Sequence, residues 1–210
     1  MATRRPLRGE NGLTPGRGML VLSLFALFML GVTEAVQRVD PECLLGESGP
    51  IELAQLVLLA FTACVLRSAG RLEGTGSILG IFALLVTVAF VRELDGPLDR
   101  VWHGFWKVPA AVVLGAAAVA ALRGGACVGK SIQRLAGKPE SGLMLAAAAV
   151  ILVQSRLLGR QSSWRGALEE GFVSHVPRLV EETSELGGYG LLAFAAVEAR
   201  RGLVTRYGTD

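Results

Sequence analysis

Residues 77–107, SILGIFALLVTVAFVRELDGPLDRVWHGFWK, decide the fold of this chain. Ser77 to Val91 carry no charge, a run too long for a core strand and too uniformly apolar for a surface helix. An untilted helix needs about 20 apolar residues to cross a hydrocarbon layer of about 30 Å. This run reaches that length only by taking in Arg92 and Glu93, so a membrane span here carries charge at its edge.

Five other stretches repeat the pattern: Met19 to Val36, Ile51 to Leu66, Val108 to Leu122, Leu143 to Leu158 and Leu186 to Ala199. Each falls short of a full crossing, and most are completed by polar flanks. The first takes in Glu34 and Gln37, the second begins at Glu52, and the fifth contains Gln154 and Arg156. The sixth starts near Pro177 and includes Glu181, Glu182 and Glu185. With 51% hydrophobic residues in 210, the expectation is an all-α polytopic helix bundle forming one membrane domain. Its six transmembrane helices are placed at about 19–37, 51–67, 77–94, 108–122, 142–159 and 178–199. Residues 1–18 read as a disordered basic tail and 200–210 as a second tail. The basic residues before the first stretch also fit a secretory signal, but no A-x-A site follows cleanly and five more stretches do.

The net charge of +3 matters less than its distribution. With the N-terminus inside, the inner segments hold 13 of the 21 Lys and Arg: Arg4, Arg5, Arg8, Arg17, Arg67, Arg71, Arg123, Lys130, Arg134, Lys138, Arg200, Arg201 and Arg206. That satisfies the positive-inside rule with both termini cytoplasmic. The same division puts 13 of the 18 acids, both histidines and all three tryptophans outside. A bacterial inner membrane suits the basic tail and compact spans. Cys43, Cys64 and Cys127 lack CxxC spacing and are expected outside, within and inside the membrane, which argues against a shared disulfide and gives a cysteine zinc site no support.

Two short interfacial helices are expected on the outer side. After Gly96-Pro97, Trp102, Phe105 and Trp106 share one face at i, i+3 and i+4, and Asp99, His103 and Lys107 the other. Farther on, Trp164, Leu168 and Phe172 recur at i, i+4 and i+8, with Glu169 and Glu170 on the wet side. After Pro177, Arg178 is spaced to pair with Glu182 within one helix.

Carboxylates in the outer turns of a span need partners, because a charge near hydrocarbon costs a few kcal/mol even on lenient scales. The expected partners are Arg92, Arg156 and Arg160, giving a network at outer-leaflet depth that also draws Glu93, Glu34, Glu52 and Gln55. Glu52 and Gln55 stand at i and i+3, so both can point inward. If this cluster lines a cavity, it suits a lipid headgroup, an ion or a prosthetic group, with arginines holding an anionic portion and Glu182 and Glu185 orienting them. A second reading is a membrane-embedded hydrolase or transferase using Asp99, His103, Glu182 and Glu185 as acid and base, with His103, His175 and Asp99 as metal ligands. Neither histidine sits in an HxxxH or HExxH arrangement. A third is a non-enzymatic subunit whose aromatic edge docks a membrane-protein partner.

The remaining motifs are weak. Gly129-Lys130-Ser131 completes a GxxxxGK[ST] pattern from Gly124, but no soluble strand precedes it. The Arg123 to Lys138 loop reads as a basic segment drawn to anionic lipid, and no nucleic-acid partner is expected. No nucleophile elbow is present. Ala111 to Gly115 and Ala146 to Ala149 are small enough for close helix packing.

Overall fold

The computed structural model describes residues 14–46, 49–74 and 76–207. All regular structure among them is helical: α1 (Pro15–Arg38), α2 (Pro41–Leu45), α3 (Pro50–Glu73), α4 (Ile78–Glu93), α5 (Asp95–Asp99), α6 (Lys107–Ala136), α7 (Pro139–Ala149), a π-turn (Val150–Gln154), α8 (Ser155–Leu158), α9 (Gln161–Leu168), a 3₁₀ turn (Glu169–Gly171) and α10 (His175–Tyr207). Proline at the first turn starts α1, α3 and α7, where its missing N–H leaves no hydrogen bond unmade.

Four segments are long and apolar enough to cross a membrane: Pro15–Arg38, Cys43–Glu73, Lys107–Ala136 and Pro139–Leu158. The other two expected spans are helical but do not meet that criterion. At 16 residues, α4 rises about 24 Å, a few ångströms short of a bilayer core. The last helix is 33 residues long, but acids and arginines recur along it.

Several boundaries differ from expectation. The first 13 residues of the expected tail lie outside the described residues, and α1 already begins at Pro15. Residues 123–136, read as part of a loop, continue α6 across a kink at Gly125. There φ is 43° and ψ is −124°, a backbone shape that glycine adopts without a Cβ clash. The kink turns the second half of α6 toward the start of α4, where Ser131 Oγ accepts the Ile78 N–H at 3.0 Å. Ala111 to Gly115 are mostly exposed rather than packed, and α6 buries chiefly Ala110, Ala117, Ser131 and Leu135.

Neither amphipathic helix forms over its expected length. Residues 100–106 are turns, with Gly104 at φ +83° and its N–H donating to Asp99 Oδ1 at 2.9 Å. Trp102 and Phe105 still meet edge to face, with centroids 4.5 Å apart. The second helix stops at Leu168 because Glu169 takes φ +45°, so Phe172 folds back beneath the Arg165 guanidinium at 5.2 Å.

The core runs between α3, α4 and α10, with Leu59 and Leu66 meeting Leu79, Val86, Tyr189 and Ala196, and Met144 of α7 closing one side. In lipid, such helices gain little from the hydrophobic effect and associate through close packing. Gly70 illustrates this: a Cβ there would lie 2.8 Å from the Gly80 nitrogen, so α3 and α4 cross with backbones in contact. The first helix is mostly exposed, with Val21 its one buried residue, but Phe25 meets Phe194 edge to face and Phe28, Val32 and Val36 pack against the cluster of Leu44, Ile51 and Leu186.

Candidate functional site: a charged cleft at one end of the bundle

The start of α3, the end of α4 and the start of α10 converge at one end, covered by α2 and α5. Between them lies a cleft of about 170 Å³, lined by Leu44, Leu45 and Ile51 together with Gln55, Arg92, Glu93 and Glu182. A second lobe of about 310 Å³ continues past Asp95, Asp99 and Arg100, and Glu52, Asp95 and Arg178 line both. Glu52 lies in the first turn of α3, where the helix dipole favours an anion, and Gln55 follows on the same face.

Gln55 is fully buried, and its Nε2 donates to the Glu182 carbonyl at 3.2 Å and to Glu182 Oε2 at 3.0 Å. Its Oε1 is buried and has no hydrogen-bond partner among the described residues. Arg178 does not pair with Glu182 as its spacing suggested; it faces the cleft and forms no ion pair among the described residues.

Behind the cleft, Glu185 is buried between two arginines. Its Oε2 lies 3.4 Å from Arg92 and its Oε1 2.6 Å from Arg156, joining α4, α8 and α10. Arg92 also reaches Glu93 at 3.5 Å, and Arg156 also pairs with Glu181. The π-turn adds a residue to one helical turn; its last residue, Gln154, is exposed, while Ser155 just after it is fully buried, 3.3 Å from Glu185 Oε1.

The other expected site residues are dispersed. Glu34 pairs with Arg38 at 2.8 Å on α1 and does not line the cleft. Arg160 is exposed in the turn before α9 and has no ion pair among the described residues. His103 lies 3.3 Å from Asp99 but is 99% exposed, and His175 is exposed at the start of α10. Among the described residues no three His, Cys, Asp or Glu side chains gather as metal ligands, so the set of His103, His175 and Asp99 is not assembled.

Some polar residues were not anticipated. Tyr189 is buried and its hydroxyl donates to Glu93 Oε1 at 2.8 Å; its place four residues after Glu185 on the same helical face is the signal that could have found it. The opposite end of the bundle also buries two acids, Glu140 and Glu198. Lys138 approaches Glu140 at 3.7 Å and Arg201 approaches Glu198 at 3.3 Å. Nearby, Ser77 and Ser131 donate to the two oxygens of Glu73 at 2.6 and 2.8 Å, so the serine of the Gly-Lys-Ser triplet ties helices together.

No known protein family matches this chain, and no curated protein or solved structure matches it either.

Proposed function

We propose that this chain is a six-span membrane protein, with both termini cytoplasmic in a bacterial inner membrane, whose cleft at outer-leaflet depth receives the polar headgroup of a lipid or similar amphiphile. The observation that carries this reading is the mixed lining of the cleft. Leu44, Leu45 and Ile51 line the cleft together with an amide, acids and two arginines, a mixed lining that suits a molecule with both apolar and polar parts. α4 crosses despite its 16 residues by placing Arg92 and Glu93 at headgroup level, and α10 crosses with its acids paired or facing the cleft.

The Arg92–Glu185–Arg156 bridges support a structural role for that part of the cluster, since each charge already has its partner. Headgroup binding therefore falls to Gln55, Glu182 and Arg178 rather than to Arg92 and Arg156. The test is retention of phospholipid by the purified protein, read by native mass spectrometry. The native chain is expected to hold a lipid that a Glu182→Leu variant of equal thermal stability loses. Equal retention by both would remove the proposal.

A further inference from the structure

The unpartnered acceptor of Gln55 bears on the chemistry that the cleft would take. The amide orientation is fixed, because its nitrogen faces two acceptors of Glu182 and only an N–H can sit there. Its Oε1 is therefore a true acceptor, buried and without a partner among the described residues. Leaving such an atom unsatisfied is costly, and the natural remedy is a donor from the occupant of the cleft. Glu93, Asp95 and Glu182 line the same cleft, and as carboxylates they too only accept. Arg92 is committed to Glu93 and Glu185, and among the described lining residues the carboxylates outnumber the two arginines, Arg92 and Arg178, so the cleft favours a cation.

We infer that the cleft binds a primary ammonium group, its N–H bonds directed at Gln55 Oε1 and the flanking carboxylates. This rests on the reading that the cleft takes a polar headgroup, and it narrows that reading. A quaternary ammonium cannot donate a hydrogen bond and is normally held in an aromatic cage, whereas among the described residues this cleft has no aromatic side chain in its lining. An anionic group alone would face the carboxylates with Arg178 as its one uncommitted cation among the described residues lining the 170 Å³ cleft. A volume of about 170 Å³ equals the share of five or six liquid waters, enough for an aminoethyl group with part of its phosphate. The same ammonium chemistry is offered by an aminophospholipid or by a small free amine.

The experiment places the full-length protein in phosphatidylcholine nanodiscs with equal small fractions of phosphatidylethanolamine and phosphatidylglycerol, and measures retained lipid by native mass spectrometry. Free ethanolamine is titrated separately in pure phosphatidylcholine discs. Phosphatidylethanolamine is expected to be retained about tenfold over the other two, the worth of one charge-assisted hydrogen bond. Gln55→Leu should abolish that preference. Should Gln55→Leu not fold, Asp95→Asn carries the test, because Asp95 is exposed; it should lower the preference severalfold. Saturable ethanolamine binding without lipid preference would assign the site to a free amine. Retention of phosphatidylglycerol or phosphatidylcholine as strongly as phosphatidylethanolamine, with no ethanolamine binding, overturns the ammonium assignment and leaves the headgroup reading standing. Retention of no lipid and no amine removes both.

Discussion

Glu185 and Tyr189 show how residues on one face of α10 hold the polar end of the bundle together. The Glu185 carboxylate lies between Arg92 and Arg156, with Ser155 beside it, while its own side chain is only 2% exposed. Replacing one member of such a bridge leaves the others unmatched, which costs more than the pair contributes. Both arginines keep substantial contact with solvent, so the loss stays below that of a fully buried triad. Glu185→Gln is expected to destabilise the protein by about 2 kcal/mol, seen as a lower thermal midpoint in detergent. An unchanged midpoint would show that the bridges contribute nothing net. Tyr189→Phe removes one donor from Glu93 but leaves Arg92 beside it, so a loss of about 1 kcal/mol is expected in the same assay. The arginines and acids of this end were legible because charges inside apolar runs stand out. Tyr189 was not, because a tyrosine near a span edge also reads as an interfacial anchor.

At the level of elements, the existence of the helices was readable and their ends were not. Hydropathy marks where apolar residues stop, whereas a helix stops where its backbone must turn, and the two differ most in α6. Its sequence becomes basic and glycine-bearing at Arg123, yet the chain remains helical to Ala136 with a kink at Gly125. The two amphipathic segments failed for the converse reason. Their i, i+4 spacing was sound, but Gly104 and Glu169 take positive φ and fold each segment back on itself. Close helix packing was sought at Ala111 to Gly115 and Ala146 to Ala149; Ala147 of α7 is fully buried, but the α6 run is mostly exposed, and α3 and α4 meet most closely at Gly70 and Gly80. A Cβ at Gly70 would meet the backbone of Gly80, which cannot rotate aside as a side chain could. Gly70→Ala is therefore expected to separate α3 and α4 and to cost about 1–3 kcal/mol, the range for overpacking. Gly16→Ala on α1, where a Cβ meets nothing within 4 Å, is the matched control and should leave the midpoint unchanged or slightly raised. Equal stability of the two variants would contradict the tight crossing.

For the whole molecule, the helices alternate in direction, and this puts the three free cysteines at three different depths. Cys43 lies in α2 beside the cleft, Cys64 is exposed on the middle of α3, and Cys127 lies beyond the α6 kink, against Gly76 at the opposite end. The proposed orientation puts the cleft outside and the Lys138–Glu140 and Arg201–Glu198 pairs inside, in keeping with the excess of Lys and Arg at that end. An exposed cysteine on the face of a helix midway across a bilayer meets lipid, where a thiol cannot form the thiolate that reacts with maleimide. In intact cells, a membrane-impermeant maleimide is therefore expected to label Cys43 alone, whereas permeabilised cells should add Cys127 and leave Cys64 unlabelled until detergent is present. Single-cysteine variants separate the three signals. Labelling of Cys127 but not Cys43 in intact cells would invert the topology and turn the cleft to the cytoplasm. Rapid labelling of Cys64 before detergent would show that α3 borders water, and with it that the bundle does not cross the membrane as proposed.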